Sequence, residues 1–343
     1  YVDDNVSNQQ HIIAANEGGA LALAIGHHLA TGQVPLVYLQ NSGFGNLVNP
    51  LLSLADNEVY SIPGVLLIGW RGEPGVSDEP QHVKQGRVSL ELLDTMEIPY
   101  RILGHDMTED EILNTISNCV ESAKSESSIY ALVVKKGFFE KYLPEKSYES
   151  VFELTREKAI QLVVDHYKEG LIVSTTGLAS RELYEYRSKT SKDHSRDFLV
   201  VGGMGHANQI ATGLALYQPN RRVICLDGDG AIIMQMGSMP IIGSIKPKNL
   251  LHILLNNGAH DSVGGQETAG LHIELSAIAR NSGYPHVFSC TTEEDVLSTL
   301  PKIDKLEGPI FFEIKVKKGF RSEIGRPETT PLENKINFIS QLM

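Results

Sequence analysis

Short runs of contiguous apolar residues alternate along this chain with longer stretches whose apolar positions recur at helical spacing. That rhythm predicts α/β construction with parallel sheets, because a strand buried on both faces reads as an unbroken apolar run. In the first half, Val34–Leu39 (VPLVYL), Gly64–Gly69 (GVLLIG) and Tyr130–Lys135 (YALVVK) predict strands. In the second half the predicted strands fall within Gly170–Gly177, Asp197–Gly205, Arg221–Gly230, Asn249–Gly258 and Gly308–Val316. The alanine-rich stretch Glu17–Leu29 is apolar over most of its circumference and predicts a well-buried helix.

The two halves have the same style, which predicts two doubly wound parallel-sheet α/β domains, although no residue-level repeat relates them. The charged, turn-rich run KKGFFEKYLPEKSYES marks a connection between them. We divide the chain into a domain over 1–140, a linker over 141–152 and a domain over 153–343. A chain of 343 residues exceeds the usual size of one domain and agrees with this division.

Composition narrows the function classes. Hydrophobic residues make up 41% and charged residues 21%, values that belong to a globular chain with sizeable cores. A formal net charge of −12 argues against nonspecific binding to nucleic acid or to an acidic membrane surface. It leaves room for a local pocket that takes an anionic small molecule. No apolar run is long enough to span a bilayer. Cys119, Cys225 and Cys290 are widely spaced and odd in number, so they outline neither a disulfide framework nor a metal site, and the cytoplasm is the expected compartment. The chain opens at Tyr1 with few residues ahead of the first helix, and we expect an N-terminal element to be missing.

Candidate chemistry gathers at two strand ends. CLDGDG closes one predicted strand with Gly228, Asp229 and Gly230, and HILLNNG closes the next with Asn256, Asn257 and Gly258. Taken singly, each is an ordinary turn: an aspartate that caps a helix, or an Asn-Gly pair. Taken together, they lie at the carboxyl ends of consecutive strands, where open parallel sheets bind their ligands. A carboxylate, an amide oxygen and a loop carbonyl there would suit a small hard cation such as Mg²⁺, with phosphate oxygens completing its shell.

GDG followed by NN resembles the cofactor signature of thiamine-diphosphate-dependent enzymes. The resemblance implies the thiamine-diphosphate-binding fold, with a pyrimidine-binding domain followed by a diphosphate-binding domain. It implies Asp229, Asn257 and the backbone oxygen of Ala259 as Mg²⁺ ligands, with Asn256 as a lesser alternative, and Gly228, Gly230 and Ala231 beside the diphosphate. GGMGHA resembles the family's segment with a bulky residue under the cofactor, which implies Met204 there, beside Gly203. Thr176, after an earlier strand, is expected as a further cofactor contact. NEGGALALAIGHHLATG resembles the helix that carries the cofactor-activating glutamate, which implies Glu17. QNSGFGN resembles the loop that lines the cofactor ring, which implies Gln40, Asn41 and Gly43.

Between Lys135 and Gly170 there is no room for the third domain that many of these enzymes insert. The compact form resembles the phosphonopyruvate decarboxylase and sulfopyruvate decarboxylase family. YLQNSGFGNLVNPLLSL, GWRGEPGVSDEPQHVKQG, NNGAHDSVGGQ and RSEIGRPETTP carry that likeness over most of the chain. It implies decarboxylation of 3-phosphonopyruvate to phosphonoacetaldehyde and CO₂ by a homo-dimer or larger assembly whose site lies between chains. His82 ranks ahead of His206 and His260 as the acid that protonates the product carbon. Arg71, Arg321 and Arg326 offer guanidinium forks for a phosphonate, with His260 and Gln266 as further substrate contacts. Sulfopyruvate or another short 2-oxo acid, a carbon–carbon-forming synthase, and a non-catalytic phosphate-binding protein are the alternatives.

Overall fold

The structure, a computed structural model, describes residues 2–7, 9–142 and 150–342. The chain divides into two compact units, Tyr1–Ser147 and Tyr148–Met343. Most of the stretch read as a linker, residues 143–149, lies outside the described residues; positions 141–142 and 150–152, on either side, carry no helix or strand.

The first unit runs α1 (Val2–Asn5), α2 (Glu17–Thr31), β1 (Leu36–Gln40), the short turn α3 (Val48–Pro50), β2 (Gly64–Gly69), α4 (Pro80–Thr95), β3 (Tyr100–Leu103), α5 (Glu109–Glu126) and β4 (Ile129–Val134). Its four strands are all parallel, in the order β1-β2-β4-β3. One apolar cluster joins Leu21 and Ala24 of α2 to Val37, Leu66, Ile68, Leu93 and Val133, and a second packs Cys119 and Ala123 of α5 against Val65, Leu132 and Val134. Side chains on both faces of the sheet are thus covered, and β2 and β4 read as continuous apolar runs for that reason.

The second unit runs α6 (Arg156–His166), β5 (Leu171–Ser174), α7 (Leu178–Thr190), β6 (Asp197–Leu199), α8 (Ala207–Tyr217), β7 (Val223–Gly228), α9 (Asp229–Met234), α10 (Ser238–Ile245), β8 (Leu250–Asn256), α11 (Leu275–Asn281), β9 (His286–Cys290), α12 (Glu293–Ile303), β10 (Ile310–Lys315) and α13 (Pro331–Ser340). Its six parallel strands are ordered β6-β5-β7-β8-β10-β9. β7 and β8, which carry the two motif-bearing ends, are hydrogen-bonded neighbours in register from Val223↔Leu250 to Gly228↔Leu255. Every residue of β8 is buried.

Two expectations needed correction. Helix α2 buries only one side: Leu21 and Ala24 are buried, whereas Leu23 is 50% and Leu29 72% exposed. Strands β3 and β9 were not anticipated. Both are sheet edges, their side chains are mostly half-exposed, and YRIL and HVFSC therefore lack an unbroken apolar run.

Candidate functional site

In the second unit, the ends of β5, β7 and β8 open onto one cleft. Thr176, Met204, Gly228, Asp229, Gly230, Ala231, Asn257, Ala259 and His260 all line it. Nine residues singled out from separate stretches of sequence are thereby brought together. Gly203, beside Met204, is exposed in the turn where its carbonyl accepts from His206 Nδ1 at 2.9 Å.

Asp229 is buried to 2% exposure, and its Oδ2 accepts from the hydroxyl of Thr268. Among the described residues no lysine or arginine pairs with it. Burial without a countercharge pushes its carboxyl up to about 6, against the opposing pull of the Thr268 hydroxyl. A buried carboxylate that lacks a cation is where a metal ion would be stabilised. Gly270 permits this packing, because a Cβ there would stand 2.6 Å from the Asp229 side chain.

The two asparagines have different surroundings. Asn256 Nδ2 donates to Gly270 O and to Glu313 Oε1, both at 2.8 Å, and its Oδ1 accepts from Gly258 N at 3.2 Å. It is fully occupied inside the protein. Asn257 lines the cleft; its Nδ2 donates to Asp261 Oδ2 at 2.7 Å and its Oδ1 accepts from Ala259 N at 3.2 Å. Gly258, with φ of 65°, takes the chain through the left-handed region so that Ala259 follows directly into the cleft wall.

The cleft is closely shaped at Gly230. A Cβ there would lie 2.5 Å from His260 Cε1 and 3.4 Å from Met204 Cε, so a side chain at this position would strike the His260 ring. Burial lowers the pKa of His260, which favours its neutral form. On the inner side of the cleft, Asp227 Oδ2 accepts from Asn208 Nδ2 at 3.0 Å and from His252 Nε2 at 3.2 Å, while Tyr284 OH meets His252 Nδ1 at 3.0 Å. This buried network braces β7 against β8.

In the first unit, Glu17 is the first residue of α2, behind the N-cap Asn16, whose side chain accepts from Gly19 N. Its Oε2 accepts from Asn46 Nδ2 at 2.7 Å. Any Cβ at Gly43 would overlap the Glu17 carboxylate, so the glycine is the space in which that carboxylate sits. Gln40 Oε1 accepts from Ser42 Oγ at 2.5 Å. Asn41 is buried, and its amide is spent on Arg71: Nδ2 donates to Arg71 O at 2.8 Å and to Ser89 Oγ at 2.9 Å, and Oδ1 accepts from Arg71 N at 2.9 Å. Its side chain splints the loops after β1 and β2.

Asp78 organises the remainder of that loop. It pairs with Nε and Nη2 of Arg71, accepts from Gly72 N and Glu79 N, and meets His82 Nδ1 at 3.1 Å. The Arg71 guanidinium holds the Asp78 carboxyl well below the usual carboxylate range. Arg71 was expected to present its fork to a phosphonate; that fork is taken by Asp78. Arg321 is similarly engaged, with Glu157 at 2.9 Å and Glu185 at 2.6 Å. Gln266 is half-buried, with its carbonyl accepting from His260 N at 2.8 Å, and Arg326 lies in the segment after β10.

Sequence reading missed Thr268, Asp261, Arg156 and Asp78. Each is a single polar residue in a turn or at a helix start, and nothing in its local pattern separates it from ordinary capping and turn chemistry.

Comparison with known proteins follows this geometry. Residues 2–98 match the family described as thiamine pyrophosphate enzyme, N-terminal TPP binding domain, and residues 175–314 match its C-terminal TPP binding domain. A phosphonopyruvate decarboxylase of Streptomyces viridochromogenes is 34% identical over 94% of this chain and 83% of its own length. One of Streptomyces hygroscopicus is 33% identical over 94% of this chain and 82% of its own. A sulfopyruvate decarboxylase of Methanosarcina acetivorans is 29% identical over 91% of this chain and 83% of its own. The chain belongs to the phosphonopyruvate decarboxylase family of thiamine pyrophosphate enzymes.

Proposed function

We propose that this chain decarboxylates 3-phosphonopyruvate to phosphonoacetaldehyde and CO₂, using thiamine diphosphate and Mg²⁺. The observation that carries the reading is the buried carboxylate of Asp229, paired with no lysine or arginine among the described residues, facing a cleft with Asn257 and Ala259 in a chain one-third identical to phosphonopyruvate decarboxylases. The three donors are hard oxygens, the set that Mg²⁺ prefers, and Mg²⁺ readily takes phosphate oxygens as the rest of its shell. Gly228, Gly230, Ala231 and Thr176 form the wall beside them, and Met204 supplies the bulk against which the cofactor would rest.

When bound, thiamine diphosphate supplies a carbon nucleophile for the keto group and a sink for the electrons left by CO₂. The protein's own residues orient, activate and protonate. The Glu17 carboxylate, held in place by Asn46 and by the gap at Gly43, would be the group that activates the cofactor by holding or moving a proton at its carboxylate oxygen. His82 has its Nδ1 on Asp78, which fixes the ring and would leave Nε2 as the atom that holds a proton for the product carbon. Within the cleft His260 is the substrate contact, with Gln266 and Arg326 on the segments that follow. The working unit is a homo-dimer or larger assembly, a reading supported by sulfopyruvate decarboxylases that occur as separate alpha and beta subunits.

Sulfopyruvate is the second reading, favoured by the 29% identity to a sulfopyruvate decarboxylase. Parallel measurement of kcat/KM on both 2-oxo acids, with added cofactor and Mg²⁺, decides between them. We expect phosphonopyruvate to be preferred at least tenfold, about 1.4 kcal/mol in transition-state binding. Release of no CO₂ from either would sink the proposal.

A further inference from the structure

The cleft holds one device that the reaction chemistry does not explain. Asp261, four residues beyond Asn257, has a side chain only 5% exposed, and its Oδ2 receives three donors. These are Asn257 Nδ2 at 2.7 Å, Arg156 Nη1 at 3.0 Å and Gly319 N at 3.1 Å. Arg156 is itself buried and held from its other side by Glu182, with Nε to Oε2 at 2.9 Å and Nη2 to Oε1 at 3.0 Å. One carboxylate oxygen therefore ties together the loop after β8, the start of α6 and the segment after β10.

A side-chain amide has an accepting end and a donating end of nearly the same shape, and only the accepting end can bind a cation. An ionised carboxylate accepts and never donates, so the Asn257 group that faces Asp261 must be its NH₂. The Ala259 N–H, which donates to Asn257 Oδ1, enforces the same orientation from the other end. Arg156 in turn stops Asp261 from standing as an uncompensated buried charge.

We propose that Asp261 is a positioning residue which locks the Asn257 amide with its oxygen, not its nitrogen, available to the metal ion. The inference rests on the reading of Asn257 as a Mg²⁺ ligand. It adds a partner beyond the three ligating residues, and such partners commonly control metal affinity by 10–100-fold.

The test uses the whole chain freed of metal and measures the Mg²⁺ concentration that half-saturates its melting-temperature shift at saturating thiamine diphosphate. Asp261→Ala should raise that concentration about 10–100-fold, because the released amide can turn its NH₂ to the ion. In an Asn257→Asp background the same Asp261→Ala change should raise it little or lower it, since a carboxylate has an oxygen at both ends. An equal loss in both backgrounds would mean that Asp261 merely supports the fold and would overturn the proposal, as would no loss in either. If Asp261→Ala does not fold, Asp261→Asn replaces it, with a severalfold loss expected only beside Asn257 and the same overturning outcome. A wild-type melt that thiamine diphosphate raises equally with and without Mg²⁺ would instead bring down the metal reading itself, before any variant is compared.

Discussion

At the scale of single residues, two carboxylates are held in opposite ways. Glu17 is placed by a hydrogen bond from Asn46 and by the missing side chain of Gly43. Glu17→Gln should keep the cofactor-induced melting shift yet lose turnover by about 10²–10⁴-fold, the usual range for an acid–base group. Gly43→Ala should lower kcat in the same direction by displacing the carboxylate, and an unchanged kcat in both variants would remove Glu17 from the mechanism. Asp229 is placed by burial, which pushes its carboxyl up to about 6. Its sign differs between metal-free and metal-loaded protein. Without metal the folded chain binds this proton more tightly than the unfolded chain, so Asp229's contribution to stability grows as pH falls from above 6 toward 4. Mg²⁺ must displace that proton, so its affinity should fall as pH drops through about 6, approaching tenfold per pH unit. Calorimetric titration at several pH values, with Asp229→Asn as the reference, measures both slopes. A flat Mg²⁺ affinity between pH 5 and 7 would contradict the assignment.

At the scale of elements, the helix that carries His82 depends on backbone contact. Any Cβ at Gly86 of α4 would overlap the carbonyl of Gly72, and Trp70 Nε1 donates to Gly86 O at 2.8 Å. α4 thus packs directly on the Arg71 loop, which Asp78 and Asn41 fasten from within. Gly86→Ala should cost about 1–3 kcal/mol, the usual range for forcing extra volume into a packed contact. Denaturant unfolding would register it as a lower midpoint, and a midpoint unchanged from wild type would mean that this contact yields freely. The central strands were legible because burial on both faces makes β2, β4, β7 and β8 mostly apolar, with Asp227 and His252 the buried pair that interrupts β7 and β8. β3 and β9 were not, because an edge strand shares its composition with loops. For α2, an apolar sequence did not mean a buried helix, since nothing in the described unit covers Leu23 or Leu29.

At the scale of the whole molecule, each unit carries a separate part of the proposed machinery, with Glu17 and His82 in one and the Asp229 cleft in the other. Relatives that divide into alpha and beta subunits suggest a direct experiment. Residues 1–147 and 148–343, co-expressed as two polypeptides, should reassemble with at least a tenth of the intact chain's kcat, or within about 1.4 kcal/mol in activation free energy. Light scattering on the intact protein should give at least a dimer; a fully active monomer would refute a site shared between chains. The sequence by itself determined the fold class and most of the strands, because strand burial is a local property, whereas the Gly-Asp-Gly and Asn-Asn-Gly stretches stood out only by their resemblance to a cofactor signature. Only the tertiary structure decided which asparagine faces the cleft, that the forks of Arg71 and Arg321 are already taken, and that Asp78 and Asp261 hold the side chains around them. Those are contacts between positions distant in the chain or turned by a loop, and a polar residue's partner is set by which strand ends the fold brings side by side.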